Sequence, residues 1–436
     1  MSLPAQAAAQ LATEAIMHSP TSRTRDRVRT PLPQAEVDVA IVGCGLGGLM
    51  AGALLARGGL RVACFDGHYV AGGCATMFER GRSDQRFCFD VGLHYIGDCG
   101  PGGAIPGLLA AVNAELEMVP LDPDGFDTLV FPDFEFKVPI SRDVYRDRLV
   151  ALFPKEKRGI DRYVRLLAEV DEMGRRMDAQ GGRMSAGIAL RALVSGRLLA
   201  RWQNATIGAF LDTCTKDMRL RAVLLGQSGD YGLPPSKVSA LLHVGLAAHY
   251  FRGAFYPKGG GQMIADTLAG VIEAHGGTIH LRQPIERILV EDGRACGVRL
   301  ASTEGVGTGP QLRARSVLSN ADLKRTILEL ISPQDVDASW RKRAEGFEMA
   351  SAIFMTFLGV RGDPRDLGMR AANYWQFDGY DVESFYRDRV QGDRIVPGGA
   401  YITSGSLKDP GTPGHAPPGH ATIEIMTLVP GNKELW

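Results

Sequence analysis

The sequence has no long apolar run, no net charge and few cysteines, and each lack excludes a class of protein. No apolar stretch reaches the roughly 20 residues that a membrane span needs. Lys and Arg together number 49, as do Asp and Glu, so the chain has no basic excess for nucleic acid and no nucleic-acid partner is expected. The seven cysteines form no Cys-x-x-Cys pair and no zinc spacing. Their pattern favours reduced thiols in a cytoplasmic protein and predicts no metal site.

The first 35 residues lack the apolar core of a secretory signal. They begin Ala-rich and then carry an arginine-rich stretch over residues 21–29. The acidic residues Glu14 and Asp26 argue against an organelle transit peptide, which is poor in acids. We therefore expect residues 1–35 to form a mobile tail.

Glycine is abundant, with 54 residues, and a glycine cluster marks the first recognisable unit. Residues 37–42 form a β-branched run typical of a buried strand. Gly43-Cys44-Gly45-Leu46-Gly47-Gly48 follows, and residues 49–57 have the pattern of a helix that packs closely on a sheet. A second strand is predicted over residues 60–65 and ends at Asp66. This order of strand, loop, helix, strand and acid within about 30 residues is the dinucleotide-binding βαβ pattern.

The glycines of this loop have separate tasks. Gly43 permits the tight turn, Gly45 lets the backbone approach a pyrophosphate, and Gly48 lets the helix lie close to the strand. Gly47 belongs to the same loop, whose amides and helix dipole favour phosphate. Asp66 lies about 20 residues further on, where a carboxylate can accept a hydrogen bond from a ribose hydroxyl. That charge disfavours NADP, because it repels a 2′-phosphate.

A second glycine pair, Gly72-Gly73, follows the acid directly and is not part of the NAD pattern. It fits flavin proteins that resemble glutathione reductase in fold, where such a turn passes near the cofactor. Several further pieces then make the resemblance specific. With the glycine loop and Ala71-Gly72-Gly73, the chain resembles the family of phytoene desaturases, carotenoid isomerases and retinol saturases. The other matching pieces are Phe89-Asp90-x-Gly92-x-His94-Tyr95-x-Gly97, Tyr231-Gly232-x-Pro234-Pro235-Ser236, Phe255-Tyr256-Pro257-Lys258-Gly259-Gly260, residues 276–298 and residues 316–322.

This resemblance implies FAD and an α/β fold, with a Rossmann-type, glutathione reductase-like FAD-binding domain and an inserted α+β substrate domain. The FAD-binding domain would be discontinuous, over residues 36–100 and 255–335. The substrate domain would cover residues 101–254 and 336–436. The resemblance also implies that Ile285 lies against the adenine and uses its backbone N–H and C=O.

Pattern alone predicts several elements outside the first unit. Residues 127–138 alternate in strand fashion, and residues 156–177 repeat apolar side chains with a helical period. Residues 189–202 combine leucines with arginines. They form either an ordinary surface helix or a helix on a membrane interface that admits a lipid-soluble substrate. We therefore expect a cytoplasmic protein and keep peripheral attachment to a membrane as the alternative location.

Flavin chemistry requires neither a protein nucleophile nor a metal. The sequence contains no Gly-x-Ser-x-Gly elbow and no His-Glu-x-x-His. His94 is the candidate catalytic residue near the flavin, and the alternative is a structural, hydrogen-bonded histidine. We expect Tyr95 to pack and His243 to lie in the core or on the surface. His415 is expected in a solvated Pro/Gly-rich loop.

The resemblance also implies a closing Gly-rich segment and helix that touch the flavin. Residues 427–436 match the strand region just before that piece, so we expect this sequence to lack it.

The resulting prediction is an FAD-dependent oxidoreductase that saturates or desaturates a carbon–carbon bond in an apolar polyene, such as a carotenoid or retinoid. One alternative is a flavin-dependent cis–trans carotenoid isomerase. The other is a non-catalytic prenyl or lipid carrier that keeps the fold.

Overall fold

The computed structural model describes residues 30–82, 85–178, 196–302, 308–349, 351–396 and 398–436. The strands are β1 Val37–Val42, β2 Val62–Phe65, β3 Met77–Arg82, β4 Gln85–Asp90, β5 Ile96–Gly97, β6 Met118–Pro120, β7 Asp127–Val130, β8 Glu135–Val138, β9 Ala254–Pro257, β10 Thr278–His280, β11 Ile285–Glu291, β12 Arg294–Leu300, β13 Gln311–Ser319, β14 Ala352–Arg361, β15 Asn373–Gln376, β16 Ala400–Thr403 and β17 His420–Val429.

The helices are α1 Leu46–Arg57, α2 Ala104–Ala110, α3 Arg142–Leu152, α4 Lys157–Asp178, α5 Arg197–Trp202, α6 Ile207–Leu211, α7 Met218–Leu224, α8 Ala240–Tyr250, α9 Gln262–Ala274, α10 Leu323–Arg325, α11 Ala338–Glu345, α12 Val382–Phe385 and α13 Gly405–Lys408. Short π-helical turns follow α10 at Thr326–Leu330 and α12 at Tyr386–Val390. Within the described part of the chain, no helix is both long enough and apolar enough to cross a membrane.

The first sheet has the strand order β10-β2-β1-β13-β12-β11. Its strands β10, β2, β1 and β13 are parallel, whereas β12 and β11 add an antiparallel hairpin. Helices α1 and α9 pack against each other and share one apolar core with β1 and β2. Gly52 makes the close approach possible, because a Cβ there would lie 3.0 Å from Ile272 Cδ1 and 3.1 Å from Cys64 Sγ. The predicted βαβ unit is therefore confirmed.

The second sheet has the strand order β14-β17-β16-β15-β7-β8. Its core is rich in aromatic side chains and extends to the packed pair of helices α4 and α8. The strand pattern predicted over residues 127–138 is confirmed, but it divides into two strands. The segment is a hairpin of β7 and β8, because the chain turns at Pro132-Asp133 and the Phe131 amide bonds the Phe134 carbonyl.

The strands of the first sheet fall within residues 36–100 and 255–335, and those of the second within 101–254 and 336–436. The division into domains at those boundaries stays a prediction. The mobile tail expected over residues 1–35 stays a prediction, and the structure describes only its part from Thr30 onward. Thr30 is anchored through hydrogen bonds that join it to Ile279 and Gln283. Residues 1–29 lie outside the described residues.

The predicted helix over residues 189–202 is described only from residue 196, where α5 begins at Arg197. The Glu169 carboxylate accepts hydrogen bonds from the Leu198 and Leu199 amides at 2.8 and 2.9 Å. Leu199 is buried. Residues 189–195 lie outside the described residues, so the choice between a surface helix and a membrane-interface helix stays a prediction.

Candidate functional site

The glycine loop between β1 and α1 adopts a conformation that depends on two of its glycines. Gly43 has a φ of +99°, which L side chains rarely adopt. At Gly48 a Cβ would overlap the Gly43 carbonyl oxygen. The first turn of α1 therefore lies directly on the turn that follows β1.

The amino end of α1 is open to an anion. Its N-cap, Gly45, provides no side-chain cap, and the first turn contains no acidic residue. The first-turn amides of a helix have no partner within the helix, and its dipole places partial positive charge at that end. This is the kind of cradle that holds a pyrophosphate.

Asp66, at the end of β2, is fixed to this loop. Its Oδ2 accepts a hydrogen bond from the Cys44 amide at 2.8 Å, and its Oδ1 accepts one from the His68 amide at 2.9 Å. A carboxylate oxygen can accept two hydrogen bonds. Each Asp66 oxygen thus has capacity left for a ligand hydroxyl.

The second glycine pair packs on the first loop. The Gly72 amide donates to the Cys44 carbonyl at 2.8 Å, and Gly45 and Gly72 form an isolated parallel bridge. Gly73 has a φ of +60°, and a Cβ there would lie 3.1 Å from the Gly45 Cα. The two predicted loops therefore meet through bare backbone.

Two further residues border this region. The Asn320 side chain, just after β13, lies beside the loop, and a Cβ at Gly47 would be 2.8 Å from its Oδ1. The sequence indicated Asn320 only as part of a family motif. Ile285 opens β11 after Pro284, and a Cβ at Gly67 would be 3.2 Å from the Pro284 Cβ. Ile285 is thus placed near Asp66.

A large cavity begins where the second glycine turn ends. A Cβ at Gly92 would be 3.0 Å from the Cys74 carbonyl oxygen, so the segment after β4 packs on that turn. His94 and Tyr95 follow and line a cavity of about 630 Å³. Its walls are largely aromatic and aliphatic, and include Ile96, Leu246, Tyr250, Ile353, Met355, Trp375, Phe377, Tyr386, Tyr401, Met426 and Leu428.

His94 is 93% buried, with one ring nitrogen facing an acid and the other without a partner. Its Nδ1 lies 2.9 Å from Glu424 Oε2, an ion-pair distance without hydrogen-bond geometry. Nε2 has no hydrogen-bond partner within the described part of the chain. Both Glu424 and His94 are buried, so the unpartnered ring nitrogen calls for a ligand atom.

Glu424 belongs to a buried charged cluster that the sequence did not predict. Its Oε1 accepts a hydrogen bond from the Asp90 amide at 2.9 Å. Burial and the neighbouring Glu424 charge raise the pKa of Asp90. One ligand atom each from Asp90, His94 and Glu424 lies within 4.8 Å of the others, a grouping that can hold a metal ion.

The buried Lys408 supplies positive charge to this cluster. Its Nζ donates to the His94 carbonyl at 2.6 Å and also bonds the Thr403 hydroxyl. Burial lowers the pKa of Lys408 to about 8, and the charges of Glu424 and Asp90 oppose this shift. Lys408 therefore offsets part of the negative charge of Asp90 and Glu424. Sequence reasoning missed it because Lys408 and Glu424 lie more than 300 residues from His94.

Tyr95 does more than pack. Its ring stacks on Tyr250, with centroids 4.5 Å apart. Its hydroxyl lies 3.1 Å from Asp127 Oδ2 and 3.4 Å from Asp230 Oδ2. Asp127 and Asp230, which no sequence motif indicated, thus meet at the Tyr95 hydroxyl. Of the two, Asp230 lines the cavity.

Two further histidines, His243 and His415, lie in the core. His243 is buried, with its Nε2 2.9 Å from the Tyr163 hydroxyl and its Nδ1 2.9 Å from the Tyr231 hydroxyl. Burial lowers its pKa to about 4. The prediction that His415 is solvated is wrong. It is buried, and its Nε2 lies 3.3 Å from Asp409 Oδ2.

Comparison with known proteins places this geometry in a family. A model for an NAD(P)-binding Rossmann-like domain matches residues 41–112. The chain is 31% identical over 410 residues to all-trans-retinol 13,14-reductase of Danio rerio, covering 90% of this chain and 66% of that protein. It is 25% identical over 403 residues to both prolycopene isomerase 1 of an Oncidium hybrid cultivar and 4,4′-diapophytoene desaturase of Methylomonas. These alignments cover 90% of this chain and 64% and 73% of the relatives.

The chain belongs to the phytoene desaturase and retinol saturase family. The resemblance predicted from the sequence is thus confirmed. The chain spans 66% of the Danio rerio retinol reductase and 57% of the Homo sapiens one, less than two thirds of either.

A solved structure of another protein supports the fold described here. An oxidoreductase from Methanosarcina mazei matches with a TM-score of 0.62 at 20% identity, covering 91% of this chain and 80% of that one. At this identity the likeness shows the fold alone. It confirms the predicted α/β class with a Rossmann-type domain.

Proposed function

We propose that this chain binds FAD along its glycine loops and exchanges hydride with a carbon–carbon bond of an apolar polyene held in the cavity. The observation that carries this proposal is a continuous row of backbone contacts. It runs from Gly45 at the open end of α1, through Gly72-Gly73 and Cys74, to Gly92 and the cavity wall at His94. An extended cofactor can follow this row from its phosphates to its ring.

The residues present fit FAD. The amides at the start of α1 would hold the pyrophosphate, with Gly43, Gly47 and Gly48 shaping the loop. Asp66 would accept from a ribose hydroxyl, and the backbone of Ile285 would face the adenine. When bound, the flavin supplies hydride transfer.

The cavity favours an apolar substrate. Its volume of about 630 Å³ lies within the range of small-molecule sites, roughly 300–1,000 Å³. The three relatives are named for retinol, prolycopene and diapophytoene, all of them polyenes. A carotenoid or retinoid is therefore the substrate class that we propose, without choosing between saturation and desaturation.

His94 would orient a polar atom in the cavity. His94 lines the cavity, and its ring nitrogens have no hydrogen-bond partner among the described residues, so the imidazole would contact a polar group of the flavin or substrate. The imidazole would thus position a bound group, a task separate from the hydride transfer of the flavin.

Product analysis tests the proposal. Protein loaded with FAD is incubated anaerobically with all-trans-retinol and a reductant, or with a carotenoid and an electron acceptor. We expect a product whose mass changes by two hydrogens. A cis–trans isomerase leaves the mass unchanged, and a carrier leaves both mass and geometry unchanged, so either result would refute the redox assignment.

A further inference from the structure

The cavity wall contains a second acid pair, separate from the Asp90–Glu424 cluster. Asp127 and Asp230 both contact the hydroxyl of Tyr95, at 3.1 and 3.4 Å. Asp230 lines the cavity, whereas Asp127 is fully buried behind it. Two carboxylates that share one hydroxyl cannot both be ionised without strong repulsion.

Counting hydrogen-bond donors assigns the charge to Asp127. The Asn373 amide donates to its Oδ1 at 2.9 Å, and the Gln227 amide donates to its Oδ2 at 2.8 Å. The single hydroxyl proton of Tyr95 goes to Asp127 at the shorter distance. Burial raises the pKa of Asp127, and its three donors oppose that shift, so Asp127 is better able than Asp230 to hold the negative charge of the pair.

Asp230 has fewer hydrogen-bond donors than Asp127. Its Oδ2 has one remaining donor, the Tyr250 hydroxyl at 3.2 Å. With the Tyr95 proton on Asp127, the 3.4 Å contact of Tyr95 brings no donor to Asp230, which favours the protonated form of Asp230. Within the described residues, no lysine or arginine is among the groups that shift the pKa of Asp230.

We propose that Asp230 is the residue that exchanges a proton with the polyene. This inference rests on the proposed function and names the acid of the same site. In the saturating direction, a bound reduced flavin would supply the hydride to one alkene carbon. The O–H bond of Asp230 breaks, a C–H bond forms at the adjacent carbon from the former π electrons, and the O–H electron pair stays on the carboxylate. Desaturation is the same exchange reversed.

The surroundings keep this proton available at neutral pH. Burial, and then the charge of Asp127, raise the pKa of Asp230 to about 8. The titratable groups that interact with Asp230 are Asp127, Tyr95, Tyr231, Tyr250, Tyr386 and Tyr401. Lys408 interacts with Asp127. A carboxyl in a largely apolar cavity beside an ionised partner is a recurring arrangement for a general acid.

The test compares Asp230→Asn with Asp147→Asn in the full, FAD-loaded chain. Asp147 lies on helix α3, outside the cavity lining, and its exposed carboxylate pairs with Arg146. FAD loading by absorbance and retinol binding by fluorescence show whether each variant keeps its ligands. We expect Asp230→Asn to keep both and to lose roughly 100-fold or more of the saturation rate, the usual contribution of a general acid. We expect Asp147→Asn to stay within about threefold of wild type, since it removes only an exposed ion pair.

The pH profile and an infrared spectrum make the result decisive. The wild-type saturation rate should fall as the pH rises through about 8, and this fall should be absent in Asp230→Asn. A protonated-carboxyl band at neutral pH should also vanish in that variant. A ligand-loaded Asp230→Asn protein with wild-type rate and pH profile would overturn the assignment. If the wild-type chain converts no polyene, the proposed function and the proton exchange fail together, and the infrared band separately decides whether Asp230 carries a proton.

Discussion

The Asp66 carboxylate accepts a hydrogen bond from the Cys44 backbone amide at 2.8 Å. This bond ties the carboxyl end of β2 to the turn that follows β1. The acid expected to bind ribose is therefore held beside the loop expected to bind pyrophosphate, before any ligand arrives. Such preorganisation lowers the entropic cost of binding.

Replacing Asp66 by Ala should weaken FAD binding by about 10–100-fold. The reason is the loss of a hydrogen bond to a charged group, worth roughly 1.5–3 kcal/mol. Quenching of flavin fluorescence during titration measures the affinity. Asp335→Ala, an exposed position in a short turn, is the control and should bind FAD as wild type does. Equal affinity in both variants would contradict the ribose assignment.

Replacing Gly48 by Ala should destabilise the fold by about 1–3 kcal/mol, because the new Cβ overlaps the Gly43 carbonyl oxygen. The matched control is Gly107→Ala in α2, where an added Cβ meets nothing within 4 Å. That change should be neutral or stabilising, since Ala is the better helix former. Thermal unfolding compares the two variants, and an unchanged Tm for Gly48→Ala would refute the packing argument.

Replacing His243 by Gln should make stability less sensitive to acid. Burial lowers the folded pKa of His243 to about 4 from 6.5, so the unfolded chain binds the additional proton between these values. Stability thus falls as the pH drops below about 6.5. This histidine should account for about 2 kcal/mol of the loss between pH 8 and pH 5. Urea unfolding at both pH values measures the difference. An equal loss in Gln variant and wild type would show that His243 does not titrate as described.

Replacing Ile353 by Asp should weaken retinol binding by about 10–100-fold, because burying an apolar side chain of this size against a ligand contributes roughly 1.5–3 kcal/mol. Ile353 lines the cavity, whereas Phe354, its neighbour on β14, stacks on Trp436 instead. Phe354→Asp is therefore the control. Retinol fluorescence measures binding. If Phe354→Asp weakened binding and Ile353→Asp did not, the cavity would not be the polyene site.

The sequence allowed the local parts of this structure to be predicted. The strands predicted over residues 37–42 and 60–65 appear as β1 and β2, and the helix predicted over 49–57 lies within α1, because hydrophobic pattern and turn residues define them within a few positions. The exception is residues 127–138, where an alternating pattern hid a turn.

The acids of the site could not be predicted in this way. Asp230 follows helix α7, and Asp127 opens β7, more than 100 residues before it. No spacing rule connects them, because the tertiary fold alone brings them to Tyr95. Lys408 and Glu424 reach His94 for the same reason, across the whole second half of the chain. Their chemistry depends on burial, which a single sequence does not reveal.

The most direct test of the account is the visible absorption spectrum of the purified chain after incubation with FAD and removal of free cofactor. We predict retained flavin absorbance near one equivalent per chain, strongly reduced in Asp66→Ala. A wild-type protein that is folded and retains no flavin would contradict the central claim that the glycine loops and Asp66 form an FAD site.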